Sequence, residues 1–244
     1  MYKVLVLFFS AILACCTNSA DAPYDLRVEY LCEPLSVDTP HPRLSWKNVA
    51  SSRDFHQTDY QVIVASKADL LREGKADLWD SGEVMSDEQI DVRYAGKSLL
   101  GQRLVYWKVR VRDNRGKWSN WSATARFGAG LSEEDITLAE YIGLPKNEPL
   151  DGDVAGNVST NQQDRAQQRN PAPLVRKAID YKGGTTLLYV NSLGYHEVYI
   201  NGRKIGDAEL QPAVSQYDKR SLYNTYDITR QLRKGANELV VWLG

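Results

Sequence analysis

The stretch from Trp118 to Ser122 carries two tryptophan rings, Trp118 and Trp121, of a kind that can bind the face of a sugar. The strand pattern just before it places Arg110 and Arg112 on one face, and the intervening turn makes the two segments antiparallel. A guanidinium stacked on an exposed indole contributes about 0.5–1 kcal/mol. Because both arginines occur at the right alternation, we favour an Arg–Trp ladder over a sugar platform.

Residues for catalysis are poorly represented. An inverting glycosidase needs two carboxyl groups roughly 6.5–9.5 Å apart across one sugar, and with 31 acidic residues chance pairs are certain, so their number decides nothing. Asp151 and Asp153 lie in a polar run and are expected to be solvated. The three histidines, His41, His56 and His196, are not accompanied by a nucleophile elbow. We expect His196 to lie in a strand with both ring nitrogens hydrogen-bonded.

The overall charge argues against nucleic-acid binding. The 244 residues carry a formal net charge of -1, which leaves no basic excess to neutralise phosphates. Neither a Gly-rich phosphate loop nor a Cys/His spacing typical of zinc occurs. Fourteen Tyr and six Trp stand against four Phe. This ratio suits sugar-binding surfaces, but we give more weight to β-sandwich cores.

The N-terminus has the pattern of an export signal. Lys3 is followed by an apolar stretch, Val4–Ala14, which is too short to span a bilayer. Its end resembles a bacterial lipobox, which predicts lipidation of Cys15, or of Cys16 if the cleavage site shifts by one residue. We therefore expect an exported, membrane-anchored lipoprotein, periplasmic or at the cell surface. An ordinary signal peptide is the alternative.

One cysteine, Cys32, remains outside the signal. It follows the apolar pair Tyr30 and Leu31, so we expect it to be a small buried hydrophobic residue rather than a reactive thiol. With no second cysteine in the folded part, the sequence predicts no disulfide there.

Short β-type runs between breakers fill the rest of the chain and indicate an all-β fold. Residues 1–22 form the signal and a polar tether, 23–129 one sandwich, 130–172 a linker, and 173–244 a second β domain. In the first domain the clearest strand is Leu104–Arg112. The side chains predicted to share its core face are Val105, Trp107, Val109 and Val111.

The linker contains a run, Lys146–Pro171, that is rich in Asn, Gln, Asp and Gly. Its low apolar content cannot offset its ordering entropy, so we expect it to be mobile.

The second β domain contains Asn201-Gly202, a strong signal for a two-residue hairpin turn. This turn would place Val198, Ile200 and Ile205 on a common core face. Further along, Asp227 or Thr229 is expected to cap a helical turn.

The last strand, Leu239–Leu243, is apolar on both faces and needs partners on both sides. Because the sequence ends just after it, we expect an open edge there and hence a truncated domain.

Two series of motifs resemble bacterial α-L-rhamnosidases. The first indicates a fibronectin type III-like domain and comprises Pro42–Trp46, Tyr60–Val62, Tyr106–Val111 and Trp118–Ser122. The second resembles the jelly-roll domain that precedes the catalytic barrel in that family. It comprises Ala172–Lys177, Gly194–Gly202, Leu210–Pro212, Tyr217–Arg220, Tyr223–Thr229 and Gly235–Asn237. The order of the two domains makes the resemblance specific.

Two departures from the family pattern concern aromatic residues. Ala213-Val214 stand where the family often has Gly-Trp, and Tyr141 stands where Trp is usual.

The resemblance implies a fibronectin type III-like sandwich followed by a partial jelly-roll domain, in the non-catalytic N-terminal part of an enzyme that releases L-rhamnose. The barrel that carries the catalytic carboxylates is absent from the sequence, so no residue inherits a catalytic role. The expected partners are a rhamnose-containing glycan and the missing barrel.

In some relatives the jelly-roll domain resembles a rhamnose-binding module assisted by calcium, and this resemblance implies calcium as a candidate cofactor. The candidate sugar-binding residues combine stacking rings with charged groups: Tyr217, Asp218, Lys219, Arg220 and Tyr223. The alternative function is a stand-alone surface lipoprotein that binds glycans or protein partners.

Overall fold

A computed structural model describes residues 22–50, 53–142 and 173–244, which form two compact units divided between Ser132 and Glu133. The all-β prediction is confirmed, because the only α-helix in these ranges, α1, spans Glu133–Thr137. No helix among the described residues is long and apolar enough to cross a membrane. The predictions for Cys15, Cys16, Asp151, Asp153 and the polar run lie outside these ranges.

Unit 1 is a sandwich of two antiparallel sheets. Its strands are β1 (Tyr24–Val28), β2 (Arg43–Lys47), β3 (Gln57–Ala65), β4 (Trp79–Asp80), β5 (Val84–Met85), β6 (Val92–Arg93), β7 (Val105–Asp113) and β8 (Ala125–Phe127). One sheet has the order β1-β2-β6, and the other has the order β4-β3-β7-β8 with β5 also paired to β3.

The core of unit 1 forms because alternate residues of each strand face the opposite sheet. Trp107, Val109 and Val111 of β7 are buried against Leu44 and Trp46 of β2, as the period-two pattern predicts.

Unit 2 pairs a four-stranded sheet with a two-stranded one. Its strands are β9 (Leu174–Tyr181), β10 (Leu187–Asn191), β11 (His196–Ile200), β12 (Arg203–Ile205), β13 (Tyr223–Asp227) and β14 (Gly235–Leu243). The larger sheet has the order β12-β11-β14-β9, and β10 pairs with β13.

The core of unit 2 lies between these sheets. It contains Val198, Ile200 and Ile205, the side chains predicted to share a face. Asn201 and Gly202 both have positive φ, at 51° and 77°, which confirms the predicted hairpin turn.

Cys32 contradicts its prediction, because its side chain is exposed rather than buried. Strand β1 ends at Val28, and a tight turn follows in which Val28 and Leu31 exchange backbone hydrogen bonds. Positive φ values at Glu29 and Tyr30 close this turn. Glu29 is held there by Arg43, whose guanidinium donates to both of its carboxylate oxygens.

The last strand also differs from its prediction, because β14 is not an open edge. It is hydrogen-bonded to β9 over Gly235–Trp242 and to β11 over Leu239–Leu243. Both neighbours precede β14 in the sequence, so the chain itself supplies the partners. The open edge expected at the last strand is therefore absent.

Candidate functional site

Four of the five predicted sugar-binding residues form one exposed turn before β13. Tyr217, Asp218, Lys219 and Arg220 are all exposed, and the ring of Tyr217 retains 41% of its accessible surface. The turn is closed by its backbone, since Lys219 and Arg220 donate N–H bonds of 2.9 and 2.7 Å to the carbonyl of Gln216. A ring, a carboxylate and two cations thus lie side by side in solvent.

The fifth residue, Tyr223, lies on the outer face of the small sheet. It is the first residue of β13 and pairs with Asn191 of β10. Its ring meets Tyr189 edge to face, with 5.9 Å between the ring centres. Leu188 and Val190 pack into the core, so Tyr189 and Asn191 share the outer face with Tyr223.

Polar groups that the sequence analysis did not select complete this face. The hydroxyl of Tyr141 donates to Oδ1 of Asn191 at 2.6 Å and lies 3.1 Å from Oγ of Ser221. The Asn191 amide donates to Ser221 Oγ at 3.0 Å and to the Leu222 carbonyl at 3.1 Å. We call the five residues Tyr141, Tyr189, Asn191, Ser221 and Tyr223 the tyrosine cluster.

The tyrosine cluster combines aromatic faces with amide and hydroxyl groups, which suits a ligand that has both C–H surfaces and hydroxyls. Only Tyr223 was selected from the sequence. The alternation in β10 indicated that Tyr189 and Asn191 share a face. The long-range contact of Tyr141 with Asn191 had no local signal.

Trp118 and Trp121 form the predicted ladder with the arginines, and this counts against a sugar platform. Arg110 lies over the rings of both Trp118 and Trp121, at 4.7 and 4.9 Å from the ring centres. Arg112 also covers Trp118 at 5.2 Å, and Lys108 covers Trp121 at 4.9 Å. Cations therefore occupy indole surface that a sugar would need.

The ladder is fixed from below by polar residues of β3. Arg112 forms a two-pronged ion pair with Asp59, at 2.9 and 2.5 Å, and its hydrogen bonds lower the pKa of that carboxyl. Arg110 donates to Gln61 Oε1 at 2.7 Å. These bonds hold the guanidinium planes against the indole rings.

His196 is a structural residue, as predicted. Its Nδ1 lies 2.7 Å from Oγ of Ser192, and its Nε2 lies 3.1 Å from the hydroxyl of Tyr226. The Ser192 hydroxyl donates to the carbonyl of Gly194 at 2.8 Å, so His196 Nδ1–H must be the donor to Ser192. Burial lowers the pKa of the imidazole. Ser192 is thus an acceptor in a closed network and not an activated nucleophile.

The calcium prediction finds neither support nor contradiction in the geometry. Among residues 22–50, 53–142 and 173–244, no three His, Cys, Asp or Glu side chains come together in a metal-binding arrangement.

Family comparisons agree with the two-unit architecture. Residues 23–133 match the model of the Rha78A-like N-terminal immunoglobulin domain, and residues 182–244 match that of the α-L-rhamnosidase N-terminal domain. An α-L-rhamnosidase from Formosa agariphila is 35% identical over 221 residues, which are 86% of this chain and 23% of that protein. The chain corresponds to the N-terminal region of α-L-rhamnosidases.

Solved structures extend this α-L-rhamnosidase similarity to the fold. The α-L-rhamnosidase from Dictyoglumus thermophilum superposes with a TM-score of 0.74 at 32% identity, covering 91% of this chain and 25% of that one. The enzyme from Aspergillus terreus, at 22% identity and a TM-score of 0.64, covers 92% of this chain and 24% of its own, and supports the fold alone. The chain thus spans about a quarter of the length of these relatives.

Proposed function

We propose that this chain serves as the exported, non-catalytic N-terminal part of an α-L-rhamnosidase and that its second unit binds rhamnose-containing glycans. The observation that carries the proposal is the match of both units, in the same order, to the N-terminal domains of these enzymes. The Formosa agariphila relative matches 86% of this chain but only 23% of its own length, which leaves room for a catalytic domain elsewhere.

The non-catalytic part of the proposal rests on the chemistry of the described residues. Hydrolysis with inversion needs a raised-pKa acid and a base on opposite sides of one sugar. The carboxyl pKa values that are displaced here, those of Asp25, Glu29, Asp59, Asp77 and Glu197, are all lowered, with ion-pair or hydroxyl hydrogen bonds among the causes. Such groups remain ionised and cannot act as the acid at neutral pH.

A chromogenic assay tests this point. The purified chain should release no nitrophenol from 4-nitrophenyl α-L-rhamnopyranoside above the rate of buffer. Turnover that survives repurification and is lost with the protein on immunodepletion would contradict the proposal.

The sugar site is proposed at the exposed turn Tyr217–Arg220 together with the tyrosine cluster. The interactions expected with a monosaccharide are stacking on Tyr217, hydrogen bonds donated by Lys219 or Arg220, and hydrogen bonds from sugar hydroxyls accepted by Asp218. Calcium is the proposed cofactor. Titration calorimetry with L-rhamnose, with and without calcium, measures both. Tyr217→Ala and Tyr223→Ala should each weaken binding by roughly tenfold.

Tyr24→Ala is the matched control for these variants, because Tyr24 is similarly exposed, at 47%, but belongs to unit 1. Absence of heat with and without calcium would rule out this site. Equal affinities of Tyr24→Ala and Tyr217→Ala for L-rhamnose would show that the sugar does not bind at Tyr217.

The export proposal rests on the lipobox-like sequence before Cys15. Cells fed an alkyne-tagged palmitate should label the protein, Cys15→Ser should abolish labelling, and Cys16→Ser should not. If Cys16→Ser abolishes labelling and Cys15→Ser does not, the lipid anchor is on Cys16. Absence of labelling of the parent chain would contradict the lipoprotein proposal. Protease treatment of intact cells separates surface from periplasm.

A further inference from the structure

The outer face of the large sheet in unit 2 presents the second apolar face of β14 that the sequence predicts. Leu239 and Val241 of β14 pack into the core, so the alternating residues Val240 and Trp242 lie on the opposite face. On this face Trp242 pairs with Glu197 of β11 on one side and with Leu174 of β9 on the other. Val240 pairs in the same way with Tyr199 and Arg176.

Trp242 differs from the other five tryptophans of the chain in its exposure. Trp46 and Trp107 are buried in the core of unit 1, and the remaining three are partly buried. Trp242 keeps 49% of its surface accessible and adjoins Leu174, which is 56% exposed. An exposed indole beside a second apolar side chain marks a binding surface more often than an isolated apolar residue does.

The backbone beneath Trp242 is held rigidly. β14 is hydrogen-bonded on both sides, to β9 and to β11, so the ring is mounted on a central strand rather than on a loop. A ligand that binds there gains from a platform that needs no ordering of the backbone.

The charged groups around Trp242 are paired with one another. Lys204 donates to Glu197 at 2.6 Å, and Arg176 forms an ion pair with Glu238. Tyr199 also donates to Glu197 at 2.5 Å, and the bond from Lys204 is the main cause of the lowered pKa of that carboxyl. Glu209 also lies 3.8 Å from Lys204, so the face has no positive excess and its cations are already paired with carboxylates.

Exposed ion pairs of this kind stabilise a fold only weakly, because water competes for the same groups. A ligand hydroxyl can therefore replace one of their hydrogen bonds at little cost.

We propose that this Trp242 face binds a neutral saccharide chain. The indole receives the C–H face of one sugar ring, Leu174 extends the apolar contact, and Glu197 and Arg176 exchange hydrogen bonds with hydroxyls. An anionic polymer finds no positive excess here. A protein partner would have to bury four charged side chains, which carries a desolvation cost that a hydroxylated ligand avoids.

This inference goes beyond the proposed function. The exposed turn and the tyrosine cluster belong to the small-sheet side of unit 2, whereas Trp242 lies on the outer face of the large sheet.

The test probes an array of immobilised neutral and acidic oligosaccharides with the 244-residue chain, and then measures the affinity of the best neutral glycan by calorimetry. We expect binding to neutral glycans, a loss of about tenfold in Trp242→Ala, and a smaller loss in Trp242→Phe. Tyr24→Ala, which changes an exposed tyrosine of unit 1, should bind this glycan like the parent. Far-UV circular dichroism verifies that each variant is folded.

Glu197→Gln provides a second probe if Trp242→Ala does not fold. It keeps the shape of the side chain, removes the charge that fixes Lys204, and should weaken binding several-fold.

Three results would overturn the proposal: no neutral glycan on the array, parental affinity in a folded Trp242→Ala, or concentration-dependent self-association that Trp242→Ala abolishes. The last result would assign the face to a second copy of the chain. A Tyr217→Ala variant that keeps the affinity of the parent for L-rhamnose would contradict the rhamnose site, but it would not bear on the Trp242 face.

Discussion

Unit 1 and unit 2 are both β-sandwiches, but they bury different kinds of side chain. The main core of unit 1 includes the large rings of Trp46, Tyr94, Trp107 and Phe127. The fully buried apolar core of unit 2 consists of Val198, Ile200, Ile205 and Ile228. Since burial of apolar area supplies most of the free energy of folding, unit 1 gains more from apolar packing than unit 2, whose small core is supplemented by polar networks.

Two buried polar networks illustrate this difference. Asn237 is 4% exposed, and its amide donates to the carbonyls of Arg233 and Gly235 at 2.7 and 2.8 Å. Its Oδ1 accepts from the amide of Asn201 at 2.9 Å, which ties the hairpin turn to β14. The second network joins Ser192, His196 and Tyr226. In both networks the side-chain polar groups have hydrogen-bond partners, as is expected of buried polar groups.

Among the variants that test this difference between the two units, Trp107→Ala should have the largest effect on stability. Trp107 is completely buried between the sheets of unit 1. Its removal leaves a cavity and should lower the free energy of unfolding of that unit by about 3–5 kcal/mol. Urea unfolding followed by hydrogen exchange of unit 1 amides measures the loss.

Trp107→Phe is the control and should cost clearly less than Trp107→Ala, because most of the ring volume remains. A similar loss for both variants would show that packing is not what unit 1 depends on.

A middle-sized effect is expected for Arg110→Met, which keeps the aliphatic stem but removes the cation over two indoles. At roughly 0.5–1 kcal/mol for each pair, the unfolding free energy should fall by about 1–2 kcal/mol. Chemical denaturation monitored by tryptophan fluorescence provides the measurement. Arg115→Met is the control, because Arg115 is an exposed arginine paired with Asp54 outside the ladder. Equal losses in the two variants would contradict a stabilising role for the ladder.

The smallest effect concerns pH and unit 2. Burial lowers the pKa of His196 in the folded state, so the unfolded chain binds its proton more readily. The contribution is present above the unfolded pKa of about 6.5 and is lost as the pH falls through the folded value. Thermal melts between pH 8 and 5 should therefore show unit 2 losing stability towards acid.

His196→Gln should flatten that acid dependence even though it lowers the stability at pH 8. An unchanged slope in this variant would mean that other groups of unit 2 are responsible.

The parts of the fold that the sequence predicted are those encoded by neighbouring residues. The alternation in β7, the Asn201-Gly202 turn and the Arg–Trp ladder each depend on residues close in the chain. Cys32 was wrongly predicted to be buried, because an apolar pair in the sequence does not show whether the next residue lies in a strand or in an exposed turn. β14 was misjudged because the sequence does not state which earlier strands will flank it.

The candidate site was only partly accessible to prediction for the same reason. The exposed turn Tyr217–Arg220 is contiguous and could be chosen by composition. The hydrogen bond from Tyr141 to Asn191 joins residues far apart in the chain, and the outer position of Trp242 follows only from knowing that Leu239 and Val241 face the core.

The central place of β14 in its sheet has a consequence for biosynthesis. β9 and β11 are made first, yet each needs β14 to satisfy one of its edges. A nascent chain on the ribosome therefore carries unpaired strands until residue 243 has emerged, and unpaired edges are prone to aggregate. Closing this sheet requires contacts distant in sequence, which slows folding. The interval between the synthesis of β11 and that of β14 is thus the stage at which unit 2 is most open to aggregation.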